Sequence, residues 1–420
     1  MTKTRESNNI VTGEYMNVLI EPGRLTGSVT PPPSKSFLHR YILSSALATG
    51  ESVIENAALS EDIRATLRCV SALGARWRLE DGALYISGMG GDYRGAPMPR
   101  FDCGGSGTTL RFMIPVASVL CSGGVFTGGG RLLRRPLRPY FDIFDSAGIS
   151  YSLSEAELRV EGTLGAGEYF LPGNVSSQFF SGLLFAMALC AGHSHIASRG
   201  ALESAAYAEM TYEALRLAGI DAHAEESGFR VAGGRFGPRR YTVEADWSQA
   251  AFWIAANAIG SDIDINGLPE TSSQGDRCIL EIARLLMQDG GKEIDMSQCP
   301  DLLPPAALIA AFAPGNCRFT GCERLRYKES DRISSVYGAL RTLGAHITER
   351  VDGLTVTGRR ELPGGVAVDC RNDHRIAMMA SVAALRCREP AVISDCECVR
   401  KSYPDFYENF STLGGAVHVV

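Results

Sequence analysis

The amino-acid sequence predicts an α/β protein of two similar domains, each built from three modules. The main observation is a recurring phrase: a helix that ends at a glycine, then a strand, a tight turn and a second strand. Its glycines recur roughly every 70 residues, which gives six copies in 420 residues and is too long a period for a solenoid. Six modules pack naturally as two groups of three. These glycines are Gly74, Gly148, Gly219, Gly290 in a degenerate copy at residues 285–291, Gly344, and Gly414 in a copy that the chain end truncates.

Two short segments mark where the chain passes between the domains. Residues 31–33 are three prolines, which force an extended backbone. Residues 241–245 form a strand-like run that leads into a polar helix start at Asp246. We therefore predict one domain at residues 33–245, inserted into a discontinuous domain of residues 1–32 and 246–420, with residues 1–15 as a flexible extension. Both crossings then lie at the interdomain cleft, which is a favoured position for ligand sites.

The composition is that of a soluble globular protein, with 45% hydrophobic and 21% charged residues. The net charge of −6 excludes a general basic field that would attract nucleic acid. The longest apolar runs, near residues 182–191 and 306–313, are too short to span a membrane and predict buried helices. Any binding of anions must therefore depend on local clusters of cations.

The cysteines and the amino-terminal segment predict a cytoplasmic protein. Residues 1–9 are polar and contain no apolar stretch typical of a signal peptide. The 12 cysteines are scattered, and none of them has the spacing of a zinc site. We expect reduced thiols, as in the cytosol, and no metal.

The most informative motif is Ser34-Lys35-Ser36, with Arg40 about one turn further on. Apolar residues follow at helical spacing, so the motif stands at a helix start. The first N–H groups of a helix lack internal partners and its dipole favours negative charge there, so the added cations and hydroxyls make an anion site. A loop rich in glycine and hydroxyls at residues 103–111 enters a helix in the same way, with Arg111 one turn in.

Five further segments are rich in cations, hydroxyls or carboxylates, and the first three also have a purely structural explanation. The four arginines within residues 128–138 can form a solvated basic face, and the serines within 174–182 can simply cap a helix. Lys328 and Arg332, four residues apart, can belong to an exposed lattice of charges on one helical face. A polar cap on a buried helix accounts for Asn372 or Asp373 but not for Arg375. The fifth segment is a loop at residues 401–405.

Taken together, these segments closely resemble the 5-enolpyruvylshikimate-3-phosphate synthase (EPSP synthase) family of enolpyruvyl transferases. The resemblance extends from about Met16 to the end of the chain. Any one segment is modest evidence, but six in order at suitable separations are very specific. They are Ser34-Lys35-Ser36 with Arg40, Ser106-Gly107-Thr108-Thr109 with Arg111, Ser176-Ser177-Gln178, Lys328-Glu329-Ser330-Asp331-Arg332, Asn372-Asp373-His374-Arg375 and Lys401-Ser402-Tyr403-Pro404-Asp405.

The resemblance implies a fold and a reaction. The fold is two similar domains, each with three βαβαββ units around a pseudo-threefold axis (an inside-out α/β barrel), with the active site in the interdomain cleft. The reaction transfers the enolpyruvyl group of phosphoenolpyruvate to the 5-hydroxyl of shikimate 3-phosphate through a tetrahedral intermediate and releases phosphate, on the route to chorismate and the aromatic amino acids. No cofactor or metal is implied. The resemblance also implies a monomer and a donor site that the competitor glyphosate enters.

The resemblance also implies roles for individual residues. Lys35 would lie between the substrates, Asp301 would be the base toward the 5-hydroxyl, and Glu329 with Lys35 would be the acid–base pair at the methylene carbon; which carboxylate performs which transfer stays open. Shikimate 3-phosphate would contact Lys35, Ser36, Arg40, Ser176, Ser177, Gln178, Ser204, Tyr207, Asp301 and Lys328. Phosphoenolpyruvate would contact Lys35, Gly107, Arg135, Gln178, Arg332, Arg375 and Lys401. Further cleft candidates are Ser106, Thr108, Arg111 and His374.

One departure from the family pattern and two rival functions remain. Gly105 stands where relatives often carry Asn or an acidic residue, so a polar contact near phosphoenolpyruvate is expected to be missing. UDP-N-acetylglucosamine enolpyruvyl transferases share the fold and the donor, but they usually carry Lys-Asn early and a reactive loop cysteine. Here Ser36 follows Lys35, and Cys121 lies in a different pattern. A non-catalytic phosphometabolite-binding protein would not need all of the predicted catalytic groups.

Overall fold

The computed structural model describes residues 16–420; the extension predicted at residues 1–15 lies outside the described residues. Within residues 16–420 the chain forms 24 strands. They are β1 (Val18–Ile20), β2 (Thr26–Val29), β3 (Glu51–Glu55), β4 (Arg76–Glu80), β5 (Ala83–Ser87), β6 (Arg100–Asp102), β7 (Gly123–Thr127), β8 (Ser150–Leu153), β9 (Glu157–Glu161), β10 (Glu168–Pro172), β11 (His193–Arg199), β12 (Ala222–Glu225), β13 (Gly228–Ala232), β14 (Arg240–Thr242), β15 (Asp262–Ile265), β16 (Lys292–Asp295), β17 (Asn316–Thr320), β18 (His346–Glu349), β19 (Leu354–Thr357), β20 (Leu362–Gly364), β21 (Ala367–Asp369), β22 (Cys387–Glu389), β23 (Ala391–Ser394) and β24 (Val417–Val419).

The same residues form 12 α-helices and five 3₁₀ helices. The α-helices are α1 (Lys35–Leu47), α2 (Glu61–Ala72), α3 (Gly107–Cys121), α4 (Arg138–Ala147), α5 (Ser177–Met187), α6 (Ala205–Leu217), α7 (Trp247–Ala258), α8 (Ile279–Leu286), α9 (Leu303–Phe312), α10 (Arg332–Leu343), α11 (His374–Ala384) and α12 (Phe406–Thr412). The 3₁₀ helices span Leu132–Arg134, Gly275–Cys278, Pro300–Leu302, Glu323–Tyr327 and Cys396–Lys401. The two long apolar runs lie in α5 and α9 and are buried, as predicted. No helix of the described chain combines the length and the apolarity that crossing a membrane requires.

One sheet pattern recurs through the molecule. In residues 16–420, five four-stranded sheets have the same order: two parallel neighbours, followed by an antiparallel pair. In four of these sheets the antiparallel pair is a hairpin directly after the helix-ending glycine, which confirms the recurring phrase at Gly74, Gly148, Gly219 and Gly344. The sheet orders are β14-β3-β5-β4, β6-β7-β9-β8, β10-β11-β13-β12, β16-β17-β19-β18 and β21-β23-β1-β24.

The two irregular copies of the phrase, at Gly290 and Gly414, form different structures. Helix α8 and Gly290 form as expected, with φ of +94° at the glycine, but a single strand, β16, follows and joins the next sheet, so the predicted hairpin is absent there. The corresponding module keeps the parallel pair β15-β2. After Gly414 comes one strand, β24, and its antiparallel partner is β1 from the other end of the described chain.

The buried apolar side chains form two separate cores. One collects residues from Phe37 to Val243. The other joins Val18, Ile20, Leu25 and Val29 to residues from Trp247 to Leu413. This division supports the predicted domain boundaries near residues 33 and 245, which stay a prediction.

The two predicted crossings lie side by side. Pro33 and Ala245 form an antiparallel bridge, the Ser34 N–H donates to the carbonyl of Glu244 over 2.8 Å, and the Asp246 N–H donates to the carbonyl of Pro32 over 2.9 Å. Helices α1 and α7 begin immediately after the two crossings, and each belongs to a different core. The pairing therefore holds two helix starts together where the cores meet.

Candidate active site

A cavity lies between the two cores and is lined from both sides. Including its open mouth it encloses about 860 Å³, a size suited to small metabolites. Its wall holds seven cationic side chains and four carboxylates, so the cavity is locally positive in a chain of net charge −6. The cations are Lys35, Arg40, Arg135, Arg324, Lys328, Arg332 and Arg375, and the carboxylates are Asp62, Asp246, Asp301 and Glu329.

Helix starts supply much of this wall. Side chains of Ser34, Ser106, Ser176, Asp246 and Asp373 cap α1, α3, α5, α7 and α11 by accepting hydrogen bonds from first-turn N–H groups. Residues of these first turns then face the cavity with the positive end of the helix dipole. They are Lys35, Gly107, Ser177, Ser248 and His374.

Arg332 is the centre of the carboxylate cluster. Its guanidinium is 1% exposed. It donates through Nη1 to Asp301 Oδ1 over 2.8 Å, through Nη2 to Glu329 Oε2 over 2.6 Å, and through Nε to Asp373 Oδ2 over 3.0 Å. Burial alone would lower the pKa of Arg332, but these three carboxylates raise it. Arg332 therefore brings both predicted proton-transfer groups to one point.

Asp301 is surrounded by cations. Lys328 Nζ lies 3.2 Å from its Oδ1, and Arg375 Nη2 lies 3.4 Å from its Oδ2. Burial would raise the pKa of Asp301, but Lys328, Arg375 and Arg332 hold it well below its usual value. Burial lowers the pKa of Lys328 to about 8, despite the attraction of Asp301. At neutral pH the site therefore holds an ionised Asp301 beside a charged Lys328.

Glu329 is the second ionised carboxylate. Arg135 Nη1 lies 3.6 Å from its Oε1, and Lys401 Nζ lies 3.9 Å from the same oxygen. These cations and Arg332 outweigh burial and hold the pKa of Glu329 well below its usual value. His374, 1% exposed and also lining the cavity, is neutral, because burial and the charge of Lys35 hold its pKa well below 6.5.

Two lysines from opposite cores approach one carboxylate. Lys35 Nζ donates to Asp62 Oδ2 over 2.9 Å, and Lys401 Nζ lies 3.9 Å from Asp62 Oδ1. The backbone N–H of Lys35 donates to Asp246 Oδ2 over 3.0 Å, so the helix start of α7 also orients Lys35. Burial would raise the pKa of Asp62, but Lys35 and Lys401 lower it. The Lys35 ammonium is thus held at the junction of the cores.

Hydroxyls and one further arginine gather at another side of the cavity. Ser176, Ser177 and Ser204 line it, and Arg324 Nη2 donates to Ser204 Oγ over 2.6 Å. Arg324 Nε lies 3.0 Å from Glu203 Oε2. Burial lowers the pKa of Arg324 and raises the pKa of Glu203, so this ion pair does not offset its own desolvation. The group is well suited to an incoming oxyanion.

Several predicted residues lie elsewhere than expected. Arg111 is not in the cavity wall: its Nη1 donates to Gln178 Oε1 over 2.7 Å, and its Nη2 donates to the carbonyl of Pro136 over 3.2 Å. Gln178 Nε2 donates to Thr108 Oγ1 over 2.8 Å, so Arg111 and Thr108 orient its amide. Ser106 is fully buried as the cap of α3. The predicted cleft candidates Arg111 and Ser106 therefore hold neighbouring residues in place, and a contact of either one with a substrate stays a prediction.

Two local interpretations also change. Lys328 and Arg332 do not share a helical face, because Lys328 follows the 3₁₀ helix Glu323–Tyr327 and α10 begins at Arg332. Lys401 lines an adjoining cavity together with Arg135 and Glu329. Its Nζ donates to the backbone carbonyl of Gly105 over 2.8 Å, so the main chain of Gly105 makes a polar contact that its side chain cannot make.

The remaining predicted residues lie in the cavity wall. They are Lys35, Ser36, Arg40, Gly107, Thr108, Arg135, Ser176, Ser177, Gln178, Ser204, Tyr207, Asp301, Lys328, Glu329, Arg332, His374 and Arg375. Arg40 is 2% exposed and donates to Thr211 Oγ1 and to the carbonyl of Ser36, so the protein itself fixes its guanidinium.

The match to known proteins extends along most of the chain. Residues 20–410 match the model of a family described as EPSP synthase (3-phosphoshikimate 1-carboxyvinyltransferase). A 3-phosphoshikimate 1-carboxyvinyltransferase of Clostridium botulinum is 40% identical over 422 residues, which cover 95% of this chain and 98% of that protein. The protein of the same description from Clostridium perfringens (strain ATCC 13124) is 40% identical over 418 residues with the same coverage. The chain belongs to the EPSP synthase family.

Solved structures agree with this membership. An EPSP synthase from Acinetobacter baumannii superposes with a TM-score of 0.80 at 26% identity, over 96% of this chain and 100% of that one. The enolpyruvyl transferase NikO from Streptomyces tendae superposes with a TM-score of 0.77 at 17% identity, over 97% and 99% of the two chains, which shows the fold alone. The predicted two-domain α/β architecture is confirmed, and so is the prediction of an enolpyruvyl transferase of aromatic amino acid biosynthesis.

Sequence analysis missed several residues of this EPSP synthase family site. Asp62 and Arg324 line the cavity but lie outside the motifs that carry the resemblance. Asp246 was expected at the cleft only as a helix start, and Ser248 and Gln249 follow it in α7. A usable signal was the position of Asp246 directly after the second crossing, since a polar helix start at a domain junction faces the cleft.

Proposed function

We propose that the cavity binds the two substrates of the EPSP synthase reaction side by side and that Asp301 and Glu329 carry its proton transfers. The observation that supports this most strongly is the cluster around Arg332, in which both carboxylates lie within hydrogen-bonding distance of one buried guanidinium. Each substrate carries a phosphate and a carboxylate, and arginine forks match such oxyanions in bidentate fashion.

The acceptor, shikimate 3-phosphate, binds on the side of the serine hydroxyls. Ser176, Ser177 and Ser204 donate to its 3-phosphate, and Arg324 adds a charge from the opposite core, since it already contacts Ser204. The ring and its other polar groups contact Lys35, Ser36, Arg40, Gln178, Tyr207, Asp301 and Lys328, all of which line the cavity.

The donor, phosphoenolpyruvate, binds among Lys35, Gly107, Arg135, Gln178, Arg332, Arg375 and Lys401. Three of these cations, Arg135, Arg332 and Lys401, hold the pKa of Glu329 below its usual value. When the donor's oxyanions take over these cations, the pKa of Glu329 rises and the carboxyl becomes able to deliver a proton. Donor binding thus prepares the acid that its own methylene carbon needs.

The reaction proceeds by addition and elimination. Asp301 accepts the proton of the 5-hydroxyl as its oxygen attacks C2 of the donor, and Glu329 with Lys35 protonates the methylene carbon. The tetrahedral adduct then expels phosphate, and the new methyl group returns a proton to Glu329 with Lys35, which restores the double bond. An acid and a base on opposite sides of the new bond are what this sequence requires.

Replacing Asp301 by Asn tests the assignment. Loss of a general base typically lowers turnover by about 10²–10⁴-fold, whereas the isosteric amide should leave substrate-induced thermal stabilisation close to that of the unaltered enzyme. The measurement is phosphate release with both substrates, together with thermal shifts. Turnover equal to that of the unaltered chain would refute the role of Asp301. Release with UDP-N-acetylglucosamine, and none with shikimate 3-phosphate, would point to the rival acceptor.

We further propose that the enzyme is a cytoplasmic monomer. In residues 16–420 all 12 cysteines are free thiols and most are buried, as is usual in a reducing compartment. Residues from both cores of a single chain enclose the site, so one copy is enough to form it. The described residues contain no cluster of His, Cys, Asp and Glu suited to hold a metal ion. Sedimentation of the purified chain tests the monomer.

A further inference from the structure

Gln249 is a buried amide in the cavity wall without a hydrogen-bond partner. Its side chain belongs to the first turn of α7, it is 1% exposed, and it lines the cavity. Neither Nε2 nor Oε1 finds a donor or acceptor among residues 16–420. An unpaired polar group that is withdrawn from water typically costs about 1–3 kcal/mol, so a buried amide with both ends unpaired calls for an explanation.

The position of Gln249 is closely tied to that of Lys35. The capping carboxylate of Asp246 accepts the N–H of Gln249 at Oδ1 over 3.1 Å and the N–H of Lys35 at Oδ2 over 3.0 Å. One buried carboxylate therefore orients both residues, one from each core. The Gln249 amide belongs to the same rigid junction as the ammonium that we place between the substrates.

Two other amides close to α7 are paired, the half-buried Asn257 and the buried Gln274. On the same helix, Asn257 donates through Nδ2 to the carbonyl of Ile263 and accepts at Oδ1 from the N–H of Ile263, each over 2.9 Å. Gln274 accepts from the N–H of Trp247 over 3.1 Å and donates to the carbonyl of Ala245 over 2.9 Å. These two amides hold the fold together, whereas Gln249 makes no such contribution.

We propose that Gln249 binds a ring hydroxyl of shikimate 3-phosphate. A carboxamide offers one acceptor and two donors. Phosphoenolpyruvate has only acceptor oxygens and would leave Oε1 unpaired, whereas a hydroxyl both accepts from Nε2 and donates to Oε1. The amide is neutral, so it recognises the uncharged part of the acceptor while the surrounding cations bind its oxyanions. This inference rests on the proposed function and adds a residue that recognises the acceptor.

The test compares Gln249→Met, which keeps the volume but removes the polar atoms, with Gln249→Asn, which withdraws the amide by one methylene. We expect the KM for shikimate 3-phosphate to rise about tenfold in Gln249→Met, as for the loss of a hydrogen bond. The KM for phosphoenolpyruvate should change less than about twofold, because that substrate makes no contact with the amide. The unliganded melting temperature should stay the same or rise, since an unpaired buried polar group is removed. Shikimate 3-phosphate should then raise the melting temperature of Gln249→Met less than it raises that of the unaltered enzyme.

Asn257→Ala is the matched control. It removes a paired amide from the same helix, so it should lower the melting temperature and leave both KM values unchanged. A Gln249→Met enzyme with unchanged KM values and a lower melting temperature would overturn the inference and make Gln249 structural. A rise confined to the KM for phosphoenolpyruvate would overturn it as well. Absence of phosphate release by the unaltered chain would instead refute the proposed function, while the shift by shikimate 3-phosphate would still test Gln249.

Discussion

At the scale of single residues, burial changes the pKa of Lys328 in the cavity wall. Its ammonium lies 3.2 Å from Asp301 in the cavity wall, and burial lowers its pKa to about 8. A lysine in water would stay charged to about pH 10. At this position the charge that attracts an anionic substrate is present at neutral pH and is lost not far above it.

We predict that kcat/KM for shikimate 3-phosphate falls as the pH rises through about 8, because Lys328 in the free enzyme loses its proton there. The phosphate of bound shikimate 3-phosphate should raise the pKa of the Lys328 ammonium. We therefore expect kcat to stay constant up to a higher pH than kcat/KM. In Lys328→Arg the decline should be absent up to about pH 10, because a guanidinium keeps its charge.

The measurement is a pH profile of initial rates for both enzymes, with ionic strength held constant. A kcat/KM for the unaltered enzyme that stays flat to about pH 9.5 would contradict the assigned pKa. An arginine variant that declines at the same pH as the unaltered enzyme would assign the decline to another group.

At the scale of elements, buried hydroxyls connect the helix starts that form the cavity. His39 Nδ1 lies 2.7 Å from Thr66 Oγ1, Thr66 lies 2.7 Å from Thr109 Oγ1, and Thr109 donates to Ser106 Oγ over 2.8 Å. This chain links α1, α2 and α3, whose first turns carry or neighbour Lys35, Asp62 and Gly107. Burial lowers the pKa of His39 to about 3, so the imidazole is neutral. The chain holds the elements together without adding charge near the anion site.

The glycines that end helices are a second feature at the scale of elements. At Gly344, φ is +100°, and a Cβ would lie 2.4 Å from Cδ of Pro363. At Gly414, φ is +90°, and a Cβ would meet no atom within 4 Å. Both glycines end helices of the same core. An alanine at Gly414 therefore adds only backbone strain, whereas an alanine at Gly344 adds backbone strain and crowding.

We predict that Gly414→Ala costs about 1–2 kcal/mol from the left-handed backbone alone. Gly344→Ala should cost about 1–3 kcal/mol more, because the methyl group meets the proline ring. Urea unfolding monitored by tryptophan fluorescence measures both values, since all three tryptophans of the chain are available as reporters. Equal losses in the two variants would mean that Pro363 moves aside at little cost.

The whole molecule is two cores that meet around a positive cavity. Two adjacent backbone crossings join them, and side-chain contacts cross the gap: Lys401 Nζ to Gly105 O over 2.8 Å, and Tyr207 Oη to Asp276 Oδ2 over 2.8 Å. Cations from both cores repel one another when no anion lies between them. We therefore expect the polyanionic substrates to remove that repulsion and to exclude water as the cores close.

We predict that shikimate 3-phosphate reduces the radius of gyration of the enzyme in solution and that phosphoenolpyruvate binds more tightly afterwards. X-ray scattering with each ligand and with both measures the change, and inorganic phosphate at equal ionic strength is the control. Profiles that coincide with and without the ligands would show that the cores are already closed without them.

The sequence by itself determined the modules, the helix starts and the residues that stand in them. Gly74, Gly148, Gly219 and Gly344 are visible because helix-ending glycines and hairpins are local features of the chain. Lys35, Arg332 and Arg375 are visible for the same reason, since each lies at or near a capped helix start.

Only the tertiary structure decided which of these local features share one cavity. Asp62 meets Lys35, Arg324 meets Ser204, and Gln249 shares a carboxylate with Lys35 through contacts that span 27, 120 and more than 200 residues of chain. Such contacts leave no periodic or motif signal in either segment. The bonds of Arg111 to Gln178 and Pro136 likewise depend on how two modules pack, and packing is a property of the folded molecule rather than of any stretch of sequence.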